Sequence, residues 1–448
     1  MWSKECYLKV FTFGIIMFLT AGFFYMSAGL MGRGNDVAWH TLNGIQMIQS
    51  HHIIHTDVLT WKTFGHAWSN PEWLFDVLVG ATYLKFGWFG IRLLVVLFGE
   101  LLMIVLVSYA IPRQKRSTII IFSIIVAFNL VPYYTARPQI VSFVMFALSI
   151  YLIEIARRDG WGKLLWFIPA FIFWNNAHGS AILFLGLLGL EWFEDHKVWP
   201  YIMGFVLLLA VRLGNPFELV HFVYGQLSPV TLSISEFRSP DFHSPQALLM
   251  LSYFAVSCLL VISKTSPREK AWLILGWLAY FISIRFGAYA AFLTWFIVMK
   301  HLDLKPLRFN VMPILATFLV VLFICKSLLF WRSPFYEPIE SGAAQYCVQH
   351  GIKDVVNEYG IGGVLEWYGL KTIADGRGLW VGEKWFSVSV YFDTESGKYP
   401  MKKFLEEEAP SIKAVIWLDN TPVALQMNLL QEWNKVYDNA SVSVWTKS

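Results

Sequence analysis

The chain has 448 residues, of which 56% are hydrophobic and 15% charged, with a mean hydropathy of +0.52. Soluble domains carry about 25% charged residues, so this composition excludes an ordinary soluble globule, and its apolar content excludes a disordered chain. It fits a polytopic membrane protein whose 21 Trp gather at membrane–water interfaces, and the net charge of +4 belongs to short basic loops rather than to a nucleic-acid surface.

Charge divides the chain. Residues 334–448 hold 10 Lys+Arg and 15 Asp+Glu, whereas residues 1–333 hold 25 and 16. This predicts a transmembrane module over 1–333 followed by a water-facing domain over 334–448. The four cysteines, Cys6, Cys258, Cys325 and Cys347, have no metal-site or disulfide spacing.

The first apolar run, Val10 to Leu30, follows Lys4 and Lys9 and lacks a small-residue cleavage site, so it reads as a retained helix. Further apolar runs predict spans near 91–111, 117–133, 139–156, 163–177, 179–193, 198–213, 246–263, 270–287, 288–300 and 311–331, about 11 transmembrane helices in all. Basic residues cluster at Arg113–Arg116, Arg157–Lys163, Lys197, Lys264–Lys270 and Lys300–Arg308. Placing these loops in the cytoplasm puts the N-terminus inside and the C-terminal domain outside. The run Glu72 to Gly87 carries Asp76 and Lys85 and would reverse that order if it spanned. It therefore reads as an interfacial helix within an external loop over 32–90, preceded by a second one over Ala38 to Gln49.

This topology gathers the polar motifs on the outer side. Asp36 ends the first span: it serves either as a helix N-cap or as a desolvated general base. Asp57 reads as a turn residue, an acceptor-positioning group or, with Asp36, a ligand of a divalent cation such as Mg or Mn. Glu72 either complements a helix dipole or helps position the acceptor. His40, His51, His52, His55 and His66 crowd the same loop without the Cys or Glu partners of a zinc site. Arg137, in Thr135-Ala136-Arg137-Pro138-Gln139, and Arg285, in Ile284-Arg285-Phe286, stand at external ends of spans. Each either snorkels or offers a phosphate-binding fork. His178, in Asn175-Asn176-Ala177-His178-Gly179-Ser180, reads as a donor to phosphate or sugar.

In the tail, the pattern predicts helices over Gly342–Gly351, Met401–Glu408 and Thr421–Lys435. It predicts strands over Lys371–Asp375 and Lys413–Leu418, and an edge strand over Ala440–Trp445. Asn357-Glu358-Tyr359-Gly360-Ile361-Gly362-Gly363 lacks the spacing of a nucleotide-binding loop. Asp375 and Arg377, in Asp375-Gly376-Arg377, are either a capped turn or a site facing the membrane cleft.

Several of these motifs resemble a known family in order. Asn35-Asp36-Val37-Ala38-Trp39-His40 with Gly44 is similar to the opening of bacterial GT-C-like membrane proteins. Asp57-Val58-Leu59-Thr60-Trp61, Trp68-Ser69-Asn70-Pro71-Glu72-Trp73, Ala136-Arg137-Pro138-Gln139, Trp174-Asn175-Asn176-Ala177-His178-Gly179 and Tyr359-Gly360-Ile361-Gly362-Gly363 continue it. The family is similar to the protein mannosyltransferase and lipid A aminoarabinose transferase group.

The resemblance implies a GT-C fold in a bacterial cytoplasmic membrane and transfer of a sugar from a polyprenyl-phosphate donor, on the outer face, to a glycan, lipid or protein acceptor. It implies Asp36 as the base. Many relatives have a Lys-Pro-Pro run where this chain has Asn70-Pro71-Glu72-Trp73, which shifts phosphate recognition toward Arg137, His178 and Arg285, with His40, Asp375 and Arg377 on the substrate. A transporter would instead predict inverted repeats, and none is visible. A non-catalytic glycan-binding envelope protein would keep its polar motifs in the tail alone.

Overall fold

The computed structural model describes residues 36–114, 116–130, 133–210, 235–302, 338–377 and 400–448, together with scattered positions between 13 and 25. The chain divides into two compact units. One comprises 1–29, 88–227 and 234–333; the other comprises 30–87, 228–233 and 334–448. Residues 30–87 thus belong with the tail rather than with the apolar helices that flank them in sequence. The expected span over 311–331 lies outside the described residues.

The second unit opens with α1 (Asp36–Ser50) and the first part of α2 (Trp73–Ala110), which breaks at Gly87 (φ 60°, ψ −159°). Only glycine adopts that conformation without strain, so the amphipathic run and the fully apolar run become separate helical segments. Helices therefore stand where two were expected, over Asp36–Ser50 and from Trp73 to the break at Gly87. They cross closely: a Cβ on Gly44 would overlap the Asp76 carbonyl, and one on Gly80 would lie 2.8 Å from Gly44 Cα.

Loop 51–70 is tied to the tail by backbone bonds. Trp61 N donates to Thr372 O at 2.9 Å, Trp61 Nε1 donates to Val355 O at 2.9 Å, and Thr60 bridges Thr372. The tail folds as an α/β layer. Its helices α11 (Ser341–Gln349), α12 (Gly362–Trp367), α13 (Met401–Glu407) and α14 (Pro422–Leu429) accompany a four-stranded sheet. The strands β1 (Val356–Asn357), β2 (Ala414–Leu418), β3 (Trp433–Asp438) and β4 (Val442–Lys447) run in the order β1-β2-β4-β3. Only the β1–β2 pair is parallel. Ala344, Cys347, Leu365, Ile416 and Val444 fill its core.

Three tail expectations are corrected. The helix expected over Thr421–Lys435 stops at Leu429, because Leu430 turns extended (φ −80°, ψ 106°) and the alternating residues that follow pair as β3. The strand at 442–447 is interior, bonded on both sides, and not an edge. Residues 371–375 form isolated bridges rather than a strand.

The first unit is helical. After the second part of α2 come α3 (Arg116–Leu130), α4 (Gln139–Asp159), α5 (Ile168–Ala177), α6 (Ile182–Trp192), α7 (Trp199–Ala210), α8 (Pro245–Val261), α9 (Pro267–Ile282) and α10 (Gly287–His301). Among the described residues two helices, Trp73–Ala110 and Gln139–Asp159, are long and apolar enough to cross a bilayer, and several shorter apolar ones accompany them. At about 1.5 Å per residue, the latter reaches roughly 30 Å. Large apolar side chains such as Leu97, Leu207, Leu259 and Ile282 face outward, as expected of a membrane protein.

One end of this unit is held by charge. Arg268 donates to Glu191 at 2.8 Å and to Glu154 at 3.0 Å. Arg157 pairs with Glu191 at 2.5 Å, and Lys300 pairs with Glu154 and Glu269 at 2.9 Å each. Gln114 Nε2 donates to the carbonyls of Met299 and Leu302. The basic loops near 113, 157, 268 and 300 therefore meet at one end, as their alternation along the sequence requires.

Candidate functional site

In the second unit, Asp36 opens α1 and is half-buried. Trp39, one turn later, directs its Nε1 toward Asp36 Oδ1 at 3.4 Å. The turn 375–377 closes on the same carboxylate, since a Cβ on Gly376 would overlap Asp36 Oδ1.

Behind that turn lies a buried ion cluster. The guanidinium of Arg377 binds Asp375 through Nε at 2.9 and 3.0 Å and through Nη2, while Nη1 stands 2.9 Å from Asp57 Oδ1. Arg377 and Asp57 side chains are 1% and 0% exposed, so their charges are spent on each other. Thr60 and Thr63 hydroxyls bond Asp57 Oδ2, and Leu59 N donates to Oδ1 at 3.0 Å. Burial pushes the Asp57 carboxyl up, but Arg377 and these donors outweigh it and hold the group below its ordinary range.

Glu366 joins the cluster, accepting from the Thr372 hydroxyl at 2.6 Å and standing 4.0 Å from Arg377 Nη2. Burial, reinforced by the Asp375 carboxylate and only partly opposed by Arg377, drives its carboxyl well above the usual range. The cluster thus sets one guanidinium against three carboxyl groups, those of Asp57, Asp375 and Glu366.

His40 follows Asp36 by one helical turn and is buried. Its Nδ1 lies 2.5 Å from Asp76 Oδ1, and Asn70 Nδ2 holds the other Asp76 oxygen at 2.7 Å. Glu72 Oε2 is 3.9 Å from His40 Nε2. A carboxylate on Nδ1 and the Trp39 ring at 3.5 Å fix the imidazole plane. His51, His52, His55 and His66 are exposed. Among the described residues no three His, Cys, Asp or Glu side chains gather as a metal site. Asp57 has no oxygen left open, because Arg377 and the threonines occupy both, and the suggested Mg or Mn site on Asp36 and Asp57 loses that ligand.

In the first unit, Arg137, His178 and Arg285 fall at the end opposite the ionic clamp. Arg137 Nη1 bonds Glu236 Oε2 at 3.0 Å, in the 3₁₀ turn Ser235–Phe237. The same turn accepts from the Ser283 hydroxyl and presents Phe237 beneath the Arg285 guanidinium, 4.7 Å away. His178 breaks the helix between α5 and α6, and its Nδ1 lies 2.7 Å from both Ser142 and Ser180 hydroxyls. Trp174 Nε1 and the Tyr289 hydroxyl donate into the same pair.

Solved structures share this architecture. The archaeal oligosaccharyltransferase AglB from Archaeoglobus fulgidus, in complex with an inhibitory peptide and a dolichol-phosphate, aligns with TM-score 0.60 at 9% identity, over 99% of this chain and 74% of that one. The same organism's oligosaccharyltransferase in the apo form gives 0.55 at 12% identity, over 92% and 69%. Tethered to an acceptor peptide containing the NVT sequon, it gives 0.59 at 10%, over 99% and 74%. The chain has a GT-C-type fold. At these identities the likeness is one of fold. No protein family and no curated protein matches the sequence.

Sequence reasoning did not single out Thr63, Asp76, Ser142, Ser283, Tyr289, Glu366 or Thr372 as site residues. Asp76 and Glu366 each interrupt an apolar helical run, which is the signal that marks a buried carboxyl needing partners. The serines and Tyr289 carry no such mark.

Proposed function

We propose that the chain is a glycosyltransferase of a bacterial cytoplasmic membrane, transferring a sugar from a polyprenyl-phosphate donor to an acceptor on the extracytoplasmic face. The observation that carries this reading is Asp36. It is a carboxyl group at the first turn of α1, half-buried and outside the buried ion cluster, on a fold shared with oligosaccharyltransferase structures, one in complex with a dolichol-phosphate and another tethered to an acceptor peptide.

In this mechanism the acceptor hydroxyl gives its proton to Asp36 while its oxygen bonds to the anomeric carbon. The bond from that carbon to the phosphate oxygen breaks, and polyprenyl phosphate leaves with the electron pair. The anomeric configuration inverts. A phosphate leaving group needs positive charge and donors rather than an acid, and Arg137, Arg285 and His178 are the groups assigned to it.

Asp57, Asp375 and Arg377 take a supporting role, because their charges are already matched. His40, held by Asp76, orients groups around the base, and Glu72 stays with the acceptor. The test is transfer by the reconstituted full chain from a panel of polyprenyl-phosphate hexoses, with the anomeric configuration of the product read by NMR. An inverted product supports the reading; a retained configuration rules out Asp36 as a base in a single displacement.

A further inference from the structure

Gly376 stands at the tip of the turn between Asp375 and Arg377. A Cβ there would overlap Asp36 Oδ1 and come within 2.8 Å of Asp36 Cγ and 2.9 Å of Trp39 Nε1. Its φ is not in the left-handed region, unlike that of Gly65, Gly351 or Gly369. A side chain at 376 would therefore push the Asp36 carboxylate and the Trp39 indole aside, and with glycine there the backbone forms a wall against which the carboxylate rests.

That wall is braced on every side. Arg377 N donates to Asp375 Oδ1 at 2.7 Å, closing the turn. The Tyr359 hydroxyl donates to Gly376 O at 3.2 Å, and Asn357 Nδ2 donates to Ala374 O at 2.9 Å. Arg377 lies over the Trp68 ring at 4.9 Å, Trp68 meets Trp39 edge-on at 6.5 Å, and Trp39 returns to Asp36. Asp36, Trp39, Trp68, Arg377 and Gly376 thus form a closed circuit of contacts within one unit.

We propose that Gly376 and Arg377 are positioning residues for Asp36: the tail domain sets where the carboxylate stands, and the Arg377 ion cluster sets where the turn stands. This rests on Asp36 being the base. Rigid placement of a base within a fraction of an ångström governs turnover more than ground-state binding. Changes in the turn should therefore act on kcat while leaving the donor KM alone.

The experiment compares Gly376→Ala, Trp39→Phe, Asp36→Asn and the double variant Gly376→Ala/Asp36→Asn in the reconstituted full chain, using polyprenyl-phosphate hexoses as donors. Gly376→Ala is expected to lower kcat at least tenfold with donor KM within twofold. It should lower the residual rate of Asp36→Asn by less than twofold, because its effect passes through the carboxylate. Trp39→Phe, which removes the Nε1 donor and keeps an aromatic ring, covers the case in which the added methyl blocks folding; it should lower kcat severalfold. Full turnover in both Gly376→Ala and Trp39→Phe, or an equal further loss when Gly376→Ala is added to Asp36→Asn, overturns the proposal.

A cryo-EM map of Gly376→Ala reads the position directly, without any assay of transfer. The Asp36 carboxylate is expected to shift by about 1 Å or more, and an unmoved carboxylate overturns the proposal. Wild-type turnover by Asp36→Asn sinks the transferase base instead and leaves the map to decide the positioning.

Discussion

Replacing Arg377 by Met removes the only cation that the described residues place between Asp57 and Asp375. Met preserves much of the side-chain volume and the stacking on Trp68, so the loss is electrostatic rather than a cavity. Two carboxylates then remain in a site where Asp57 is 0% and Asp375 1% exposed. Breaking a buried pair by deleting one partner costs about 3–5 kcal/mol, against a total domain stability of about 5–15 kcal/mol. For a unit of this size each kcal/mol moves the midpoint by roughly 2–4 °C, so the tail transition should fall by roughly 6–20 °C. Differential scanning fluorimetry of the full chain in nanodiscs follows this, because Trp433 and Trp445 report on the sheet. Adding Asp57→Asn should recover part of the loss by removing one stranded charge. A midpoint within 2 °C of wild type, or no recovery in the double variant, would refute the account of the cluster.

Glu366 supplies a pH signature. Its carboxyl is raised in the folded state above the 4.5 of an unfolded chain, so the protonated form stabilises fully below pH 4.5. That contribution is lost as pH rises toward the folded value. Glu366→Gln, which mimics the protonated form, should raise the midpoint at pH 8 and change little at pH 4.5; parallel wild-type and variant curves would contradict this. Asp57 runs the other way: held below 3.8, it contributes above that value and loses its contribution as acid passes through the folded pKa, so Asp57→Asn should flatten acid unfolding. Gly44→Ala drives a methyl into the Asp76 carbonyl and should destabilise the α1–α2 crossing by about 1–3 kcal/mol, seen as faster hydrogen exchange in both helices. Arg137→Ala and Arg285→Ala should each weaken binding of polyprenyl phosphate about tenfold or more, since charge-assisted bonds are worth about 1.5–3 kcal/mol; unchanged binding in both removes them from the phosphate role.

The helices were legible because apolar runs between basic loops leave little choice of boundary, and the break at Gly87 matches the point where Lys85 interrupts the apolar pattern. The association of residues 30–87 with the tail was not legible. It rests on Trp61, Thr60 and Arg377 meeting partners some 300 positions away, and such pairings leave no periodic trace. For the same reason Asp57 read as an open carboxylate and Arg377 as a substrate fork, when each is the other's counter-charge. The strand at 433–438 was hidden because helical and alternating patterns overlap over Leu429–Lys435, and only pairing with β4 decides between them. His178 stood out because a histidine beside two asparagines breaks an apolar run. Its neighbour Ser180 stood in the same motif, but its partner Ser142, 36 positions away, was invisible, since serine is unremarkable in any helix.

The account turns on Asp36, and its most direct test is the release of polyprenyl phosphate from a labelled polyprenyl-phosphate hexose by wild type and Asp36→Asn in the same lipid. The account predicts release by wild type, at least a hundredfold slower release by Asp36→Asn, and equal donor binding by both, consistent with the 10²–10⁴-fold typical of a general base. Equal rates in the two proteins would contradict it.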